Sequence, residues 1–381
     1  MKLLKNRNNI ITIAFLIFIL TIPAVSVIRN VLPEKDRELT EAERNVLENS
    51  GSLNENSQEG ADTEESVQAD VPAPEITPQP FTFAVLQGKI NDFTNGLFGR
   101  TKLIAFNTGL TSFLTGGTYI ESTQSLMGKN NMFFYKTELD GHPIWDYMGI
   151  NHFTDDELAA IKNNLEATKK HLNDRGIEFY TMCIPNKEIV YPENMPDTIA
   201  RVNEVSRGQQ LDEYLEANSD VTYVYPLKEL LAGKEKDQIY YITDSHCNQK
   251  GSFIAMQTFF KEVYGTYADL DSVTFEVHAT DHSGDLAFMA GLADKYKIDT
   301  VYVFDKESAD KEQYKDQVLL YLGDSFGGFL STICKGYYKE VHWYHPNDFY
   351  YGMLDEYNPD IVIWERAERY CETFAEPILD K

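Results

Sequence analysis

The strongest constraint on the fold is a repeated alternation between short β-rich runs and amphipathic helical stretches, which begins at Phe81. Strand-like runs end at Ile184, Leu322 and Trp364, and helix-like stretches separate them. Strands that are separated by helical segments are joined by crossovers, so their sheet is mainly parallel and covered on both faces. The sequence therefore predicts a three-layer α/β/α domain over residues 81–381.

The predicted strands are apolar runs rich in β-branched and aromatic residues. They are Ile177–Ile184, Val221–Tyr225, Gln238–Ile242, Thr300–Phe304, Gln317–Leu322, Glu340–Trp343 and Asp360–Trp364. The predicted helices span 154–174, 205–217, 249–264, 284–296 and 349–357. Thr154 and Glu157 have the spacing of a capping box at the start of the first helix.

Residues 1–29 have the pattern of a membrane anchor. Basic residues precede an uncharged run from Ile10 to Ile28, which is long enough to cross a bilayer. Positive charges before the run favour a cytoplasmic N-terminus and place the rest of the chain outside. A cleaved signal peptide stays open because small residues follow Pro23, and a buried core helix is a further alternative.

Residues 30–80 differ in composition from the rest of the chain. They are rich in acidic residues, Asn, Ser, Gln and Pro, and poor in apolar residues. Such a segment buries too little apolar surface to offset the entropy lost on ordering. We therefore predict a disordered acidic linker between the anchor and the domain.

The net charge of −26 argues against nucleic acid as a partner, because no Lys/Arg cluster follows the N-terminus.

The four cysteines include no CxxC pair, so a zinc ribbon or a thioredoxin-type motif is not indicated. The cysteines are predicted to be free thiols, with up to two disulfides as the alternative.

One candidate chemical motif is the turn Gly323-Asp324-Ser325. It ends a hydrophobic run at Leu322, and a helix-like segment begins at Phe326. A serine between the carboxyl end of a strand and a helix lies where α/β folds bind ligands. The same residue types also form ordinary turns, so this motif alone leaves a structural role open.

The second candidate motif is Asp244 with His246, which follows the predicted strand at 238–242. An aspartate beside a histidine selects its tautomer and stabilises the imidazolium that forms when the ring accepts a proton. A solvated turn fits the pair as well, and two ligand-type residues without a further cluster are a weak metal signal. If the fold brings Ser325 to this pair, the three complete a Ser–His–Asp set.

An ordered series of motifs resembles the alginate O-acetyltransferase proteins of AlgX/AlgJ type and the related DHHW proteins of Gram-positive bacteria. Residues 243–251 resemble the Asp-x-His-Trp-x-x-x-Gly signature, with Cys247 in place of Trp. Residues 128–135 resemble Gly-Lys-x-Gly-Trp-Leu-Phe-Tyr, with Asn131 in place of Gly. Further segments that match in order are 176–179, 184–187, 191–192, 283–286 and 365–369.

This resemblance covers roughly residues 85–370 and implies an SGNH-hydrolase-like domain in which the Asp-x-His element precedes the serine. It implies Ser325 as nucleophile, His246 as general base and Asp244 as the partner that orients the histidine. Backbone N–H groups of Ser325 and Phe326 are candidates for an oxyanion hole.

The loop of Asn186 and Lys187 is a further candidate for the oxyanion or substrate site, with a structural turn as an equal alternative. We expect Glu365, Glu368 and Arg369 to form a structural ion-pair network. Neither a metal nor a cofactor is predicted.

The resemblance and the anchor together predict a single-pass membrane protein with an extracytoplasmic O-acetyltransferase domain. The acceptor would be a cell-surface or exported polysaccharide, and a membrane-bound O-acyltransferase would supply the acetyl groups. A carbohydrate acetylesterase with the same triad, or a non-catalytic tethered protein that binds or assembles polysaccharide, stays open.

Overall fold

The structure is a computed structural model that describes residues 120–122, 124–137 and 141–380. All described residues belong to one compact unit, within Ile104–Lys381. The predicted anchor at 1–29 and linker at 30–80 lie outside the described residues. Within the part that the structure describes, no helix is both long and apolar enough to cross a bilayer.

The strands of the described residues form three separate sheets. They are β1 (Ile120–Glu121), β2 (Ser125–Met127), β3 (Phe133–Tyr135), β4 (Glu178–Ile184), β5 (Tyr223–Val224), β6 (Phe275–His282), β7 (Asp299–Phe304), β8 (Lys315–Leu322), β9 (Tyr338–Tyr344) and β10 (Ile361–Ala367). The central sheet has the order β5-β4-β10-β8-β9, and all its pairs are parallel. The three-stranded sheet β1-β2-β3 and the pair β6-β7 are antiparallel.

The α-helices connect and cover these strands. They are α1 (Pro143–Met148), α2 (Asp155–Asn173), α3 (Lys187–Val190), α4 (Arg207–Asn218), α5 (Leu227–Lys234), α6 (Gln249–Tyr264), α7 (Asp285–Met289), α8 (Ser325–Cys334) and α9 (Met353–Glu356). Short 3₁₀ segments span Lys129–Asn131, Pro192–Asn194, Leu270–Ser272, Lys306–Ser308, Lys311–Gln313, Glu368–Ala375 and Ile378–Asp380.

Alternate residues of the central strands point to opposite faces and build two cores. On one face, Leu319, Tyr321 and Ile363 pack in a cluster with apolar residues of α6 and α8. On the other face, Leu320 and Trp364 pack in a cluster with apolar residues of α2 and α4. The mainly parallel sheet covered on both faces confirms the predicted α/β architecture.

Side-chain caps explain where two of the long helices begin. Thr154 and Glu157 form the predicted capping box at the start of α2, with both reciprocal hydrogen bonds present. Asn248 caps α6, because its Oδ1 accepts from the N–H groups of Lys250 and Gly251 at 3.0 and 3.1 Å. A cap satisfies N–H groups that would otherwise have no partner at the helix start.

The prediction of a strand at 238–242 is wrong. This segment makes one isolated bridge, Tyr240 to Cys247, because the chain reverses immediately and pairs with itself. The N–H of Tyr241 donates to the carbonyl of His246 at 3.2 Å, and that of Asn248 donates to Ile239 at 2.9 Å. The motif with Asp244 and His246 therefore lies on a tight loop before α6.

Candidate active site

Ser325 is the first residue of α8, directly after the turn that ends β8. Asp324 caps this helix, because its Oδ1 accepts from the N–H of Phe326 at 2.9 Å. Its Oδ2 accepts from the N–H of Ala367 at 2.8 Å, which links the start of α8 to the end of β10. A Cβ on Gly323 would lie 2.5 Å from a buried glutamate oxygen, so the turn requires glycine there. The turn leaves Ser325 exposed at the carboxyl end of the parallel sheet.

Ser325, His246 and Asp244 form one hydrogen-bonded chain. Oγ of Ser325 lies 2.7 Å from Nε2 of His246, and Oδ1 of Asp244 lies 2.6 Å from Nδ1 of the same ring. Phe326 and Phe329 flank the imidazole, with ring centroids 4.7 and 5.5 Å from its own. The fold thus brings the three predicted residues together with the connectivity that acyl transfer through a serine requires. Their catalytic roles stay a prediction.

The Asp244 carboxylate is held by main-chain donors on both oxygens. Oδ1 accepts from the N–H of His246 at 3.0 Å, and Oδ2 accepts from the N–H of Asp285 at 3.0 Å. The hydrogen bond from Asp285 requires the start of α7 to approach the loop with Asp244 closely. A Cβ on Gly284 would lie 2.6 Å from the Cα of Asp244. Gly284 therefore lets the start of α7 support the loop that carries Asp244.

The pKa shifts follow from burial and from the contact between Asp244 and His246. Burial would raise the pKa of Asp244, but the imidazole and the hydrogen bonds it accepts hold that pKa well below its usual range. Burial would lower the pKa of His246, but the Asp244 carboxylate offsets this and raises the imidazole pKa above its usual value. The aspartate therefore stays ionised and favours the protonated imidazole.

Asp285 is a residue of the site to which the sequence reasoning assigned no role. Its carboxyl accepts from the N–H of Ser245 at 2.8 Å and from the Ser245 hydroxyl at 2.6 Å. Its Oδ2 also lies 3.8 Å from Nδ1 of His246. Burial and the charge of Asp244 raise the pKa of Asp285. The signal in the sequence was the segment 283–286, which matches the family motifs in order and contains this aspartate at the start of α7.

Asp244, His246 and Asp285 also form a set of metal-ligating residue types, with ligand atoms within 4.8 Å of one another. Both ring nitrogens of His246 take part in hydrogen bonds, one to Asp244 and one to Ser325. A cation would have to displace one of these bonds. The arrangement therefore suits proton transfer better than metal binding.

The three further predicted site residues are engaged elsewhere in this structure. The N–H of Phe326 donates to Asp324. The side chain of Asn186 donates to Asp146 at 2.8 Å. Nζ of Lys187 donates to three main-chain carbonyls, those of Phe133, Ile242 and Asp244, at 2.6, 2.9 and 3.0 Å.

The buried ammonium of Lys187 therefore anchors the loop that carries Asp244 to β3. Burial lowers the pKa of Lys187 to about 8. Participation of Phe326, Asn186 and Lys187 at an oxyanion stays a prediction, and each would first have to give up the contacts it makes here.

Among the described residues, Glu365 in β10 and Glu368 and Arg369 after it do not form the expected ion-pair network. Glu368 accepts hydrogen bonds from the N–H groups of Asn186 and Gly208, at 2.9 and 3.0 Å. Arg369 lies over the ring of Phe326, with its guanidinium 5.3 Å from the ring centroid. Glu365 is fully buried, and neither of its oxygens has a hydrogen-bond partner among the described residues. Sequence spacing suggested pairing, but in the fold these side chains reach different surroundings.

A cavity of about 580 Å³ opens beside Ser325. Its lining includes Trp343 at the end of β9, Arg366 in β10, and Tyr370, Thr373 and Glu376 from the segment that follows. The sequence reasoning did not select these residues, because they come from separate segments that only the fold brings together.

A model of the family described as "SGNH hydrolase-like domain, acetyltransferase AlgX" matches residues 127–323, just over half of the chain. The chain belongs to this family. The resemblance seen in the sequence is confirmed, and acyl transfer is supported at the level of the family. The segment matched by the AlgX-type family contains Asp244 and His246 and ends at Gly323, just before the Asp324-Ser325 turn.

Several solved structures resemble this chain in fold. A DHHW family protein from Eubacterium siraeum is 13% identical, with a TM-score of 0.51, and the match covers 68% of this chain and 97% of that one. The O-acetyltransferase domain of Pseudomonas putida AlgJ is 16% identical, with a TM-score of 0.45 and coverage of 65% and 92%. AlgX of Pseudomonas aeruginosa is 16% identical, with a TM-score of 0.44 and coverage of 67% of each chain. No protein with a curated description matches the chain by sequence.

The structure explains one of the two departures from the AlgX-type motifs. Asn131, which stands where glycine is common, has a φ of 59°, in the left-handed region that asparagine tolerates better than most residues. Cys247, which stands where Trp is usual, is buried, and its Sγ lies 3.3 Å from Oγ of Ser252. The smaller side chain therefore packs against α6.

Proposed function

We propose that this protein is an O-acetyltransferase that carries an acetyl group on Ser325 and transfers it to a hydroxyl group of a polysaccharide. The observation that supports it best is the hydrogen-bonded chain from Asp244 through His246 to Ser325. Membership of an acetyltransferase family supports the type of reaction. The polysaccharide is proposed from the resemblance of the sequence motifs.

In the first half of the reaction, Oγ of Ser325 attacks the carbonyl carbon of an acetyl ester while Nε2 of His246 accepts the hydroxyl proton. The imidazolium is stabilised by the Asp244 carboxylate on Nδ1. Collapse of the tetrahedral intermediate breaks the bond to the leaving alcohol, which takes the proton from His246. The acetyl group is then bound to Ser325 as an ester.

In the second half, His246 accepts a proton from the hydroxyl of the acceptor, whose oxygen attacks the acetyl carbonyl. The bond to Ser325 breaks, and its Oγ regains the proton from the imidazolium. Transfer prevails over hydrolysis when the acceptor excludes water from this step. The products are the acetylated acceptor and the free enzyme.

The decisive experiment compares Ser325→Ala with wild type on a chromogenic acetyl ester. We expect turnover to fall by at least about 10³-fold, because the variant lacks the nucleophile. Ser331→Ala is the matched control, since Ser331 lies in the same helix and its hydroxyl donates to the carbonyl of Gly328. Equal rates for Ser325→Ala and wild type would exclude this serine as nucleophile and favour a non-catalytic tethered protein.

A carbohydrate acetylesterase with the same triad is the second candidate. The specific observation in its favour is the exposure of Ser325, which lets water reach an acetyl group bound there. Incubation with an isotopically labelled acetyl donor and candidate glycans, read by mass spectrometry, separates the two activities. Label on the glycan supports the transferase, and label recovered only as acetate supports the esterase.

We further propose that the domain lies outside the cell, held by the segment at 1–29, and receives acetyl groups through a membrane-bound O-acyltransferase. The location and the acyltransferase partner are proposed from the charge pattern of the N-terminus and from the resemblance of the sequence to the AlgX-type family. Protease added to intact cells should degrade the domain. Full protection until the membrane is permeabilised would contradict this location.

A further inference from the structure

The cavity beside Ser325 has the features of a ligand site. Its volume of about 580 Å³ lies within the range of small-molecule sites. It is lined by the exposed Ser325 and by aromatic and polar side chains from β9, β10 and the segment after β10. A ligand in this cavity would therefore lie directly against the proposed nucleophile.

Trp343 supplies an aromatic surface in this cavity. Its Nε1 donates to the carbonyl of Gly323 at 3.2 Å, which orients the indole beside the turn before Ser325. The ring packs against the first turn of α8, where a Cβ on Gly327 would lie 2.9 Å from Nε1 and one on Gly328 would lie 3.6 Å from the ring. Despite these contacts, Trp343 is 39% exposed. An indole that is fixed on one side and open on the other is suited to stacking against the apolar face of a flat ligand.

Arg366 supplies an unused hydrogen-bond donor. The residue is only 7% exposed, yet its Nε has no hydrogen-bond partner among the described residues. It is held in place as part of β10, in which all seven residues are buried, and the next residue along the strand is tied to the cap of α8. The side chain of Arg366 lines the cavity, so its guanidinium can donate to a ligand oxygen there.

The charge balance of the cavity argues against a polyanionic ligand. The guanidinium of Arg366 is opposed by the acidic side chains of Asp324 and Glu376, which also line the cavity. The chain as a whole carries a net charge of −26, which repels a polyanion at long range. An uncharged ligand rich in hydroxyl groups fits these surroundings better than a polyuronate.

We infer that this cavity is the acceptor subsite and that it binds an uncharged sugar ring, stacked on the indole of Trp343 and hydrogen-bonded by the guanidinium of Arg366. The inference rests on the proposed acetyltransferase function and specifies its acceptor. The stacked ring would present a hydroxyl group to the acetyl group on Ser325 and would shield the ester from water.

The test measures binding, so it does not depend on turnover. In a Ser325→Ala background, which cannot be acetylated at this position, calorimetric titration is performed with two neutral probes, cellotetraose and chitotetraose, and with one anionic probe, tetragalacturonate. We expect at least one neutral probe to bind and to change the tryptophan fluorescence. Trp343→Ala should weaken its affinity by about tenfold or more, and Arg366→Met should have a similar effect.

Two controls keep the result interpretable. Trp343→Phe retains an aromatic ring and should recover part of the affinity, which excludes a simple loss of folding. Trp145 is the matched control, since it is 44% exposed and stacks on His142 rather than lining the cavity. Trp145→Ala should leave the affinity within about twofold of the parent.

Three outcomes would overturn the inference: no binding of either neutral probe, affinity that is unaffected by Trp343→Ala in a folded variant, or tighter binding of tetragalacturonate. None of these would affect the proposed function, which is decided by the acetyl-ester assay with Ser325→Ala. Conversely, undiminished ester turnover in Ser325→Ala would exclude the proposed function, whatever the result of the sugar-binding titrations.

Discussion

Asp244 has more influence on the charge of the site than any other single residue, because its carboxylate contacts both the main-chain N–H and the ring of His246. Its carboxylate is ionised, half-buried and bonded to N–H donors on both oxygens. The proton affinity of His246 therefore depends on Asp244, with a smaller contribution from Asp285. Two predictions about individual residues follow from such buried charges.

Asp244→Asn should lower turnover of an acetyl ester by about 10³- to 10⁴-fold, because the amide no longer stabilises the imidazolium or selects the correct tautomer. His246 must be neutral to accept a proton, so activity is lost as the pH falls through the imidazole pKa. Since Asp244 raises that pKa, its removal should move the acid limb of the pH–rate profile to lower pH. Steady-state kinetics across the acid range measure both effects.

Asp285→Asn is the matched comparison for this profile. Its carboxyl lies 3.8 Å from Nδ1 of His246, against 2.6 Å for Asp244, so the shift of the acid limb should be in the same direction and smaller. An acid limb that stays in place in Asp244→Asn would show that His246 is not the group that titrates.

Glu365→Gln should remove a pH dependence of stability. Burial first, and the charge of Asp324 second, raise the pKa of Glu365 well above its usual value, so the folded protein holds a proton that the unfolded chain releases above pH ~4.3. The free energy of unfolding of the wild type should therefore decrease as the pH rises above that value. Glutamine cannot ionise, so chemical denaturation at a series of pH values should show a flatter profile for the variant. Parallel profiles would indicate that Glu365 is ionised in the fold.

At the scale of elements, the turn between β8 and α8 decides where Ser325 lies. Asp324 joins three elements there, because it follows β8, caps α8 and accepts from the N–H of Ala367 at the end of β10. The exposed serine is therefore held by a buried carboxyl with two main-chain partners. A change at this cap should affect stability and catalysis together.

Asp324→Ala should lower the free energy of unfolding by about 2 kcal/mol, because it removes a helix cap and leaves a second buried N–H without a partner. Turnover should fall as well, since the position of Ser325 depends on the cap. Thr154→Ala is the matched control: it removes the cap of α2, so it should lower stability by about 1 kcal/mol without loss of turnover. Denaturant titration and ester assays provide the measurements, and full activity in Asp324→Ala would contradict the role of the cap.

At the scale of the whole molecule, the two cores on either face of the parallel sheet also determine the state of the cysteines. Cys183 and Cys371 lie in one core, and Cys247 and Cys334 lie in the other. All four are buried and free. Burial raises the pKa of Cys247 to about 12, which keeps this thiol protonated and unreactive at neutral pH.

We therefore expect no rapid reaction of the folded protein with a thiol reagent, and four reactive thiols per chain in denaturant. The midpoint of thermal unfolding should not change when a reducing agent is added. Fewer than four thiols in the denatured, unreduced protein would reveal a disulfide and contradict this arrangement. Mass spectrometry after alkylation gives the count directly.

Local patterns were sufficient to predict several features of this protein. The apolar run before Gly323 and the capping box of α2 depend on residues close in sequence, so their signals are contained in short segments. The order of motifs along the chain was sufficient to indicate the AlgX-type family. The chemical identities of Asp244, His246 and Ser325 were also evident from the sequence.

Only the tertiary structure decided the rest, because the deciding contacts join residues far apart in the chain. The segment 238–242 looked like a strand from its composition, but it pairs only with the residues that follow it. The loop that follows, with Asp244 and His246, is held by the ammonium of Lys187 and the N–H of Asp285. The distance of 2.7 Å between His246 and Ser325 depends on how β8, α6 and α7 pack. Sequence therefore determined which chemical groups this protein has, while packing decided which of them meet.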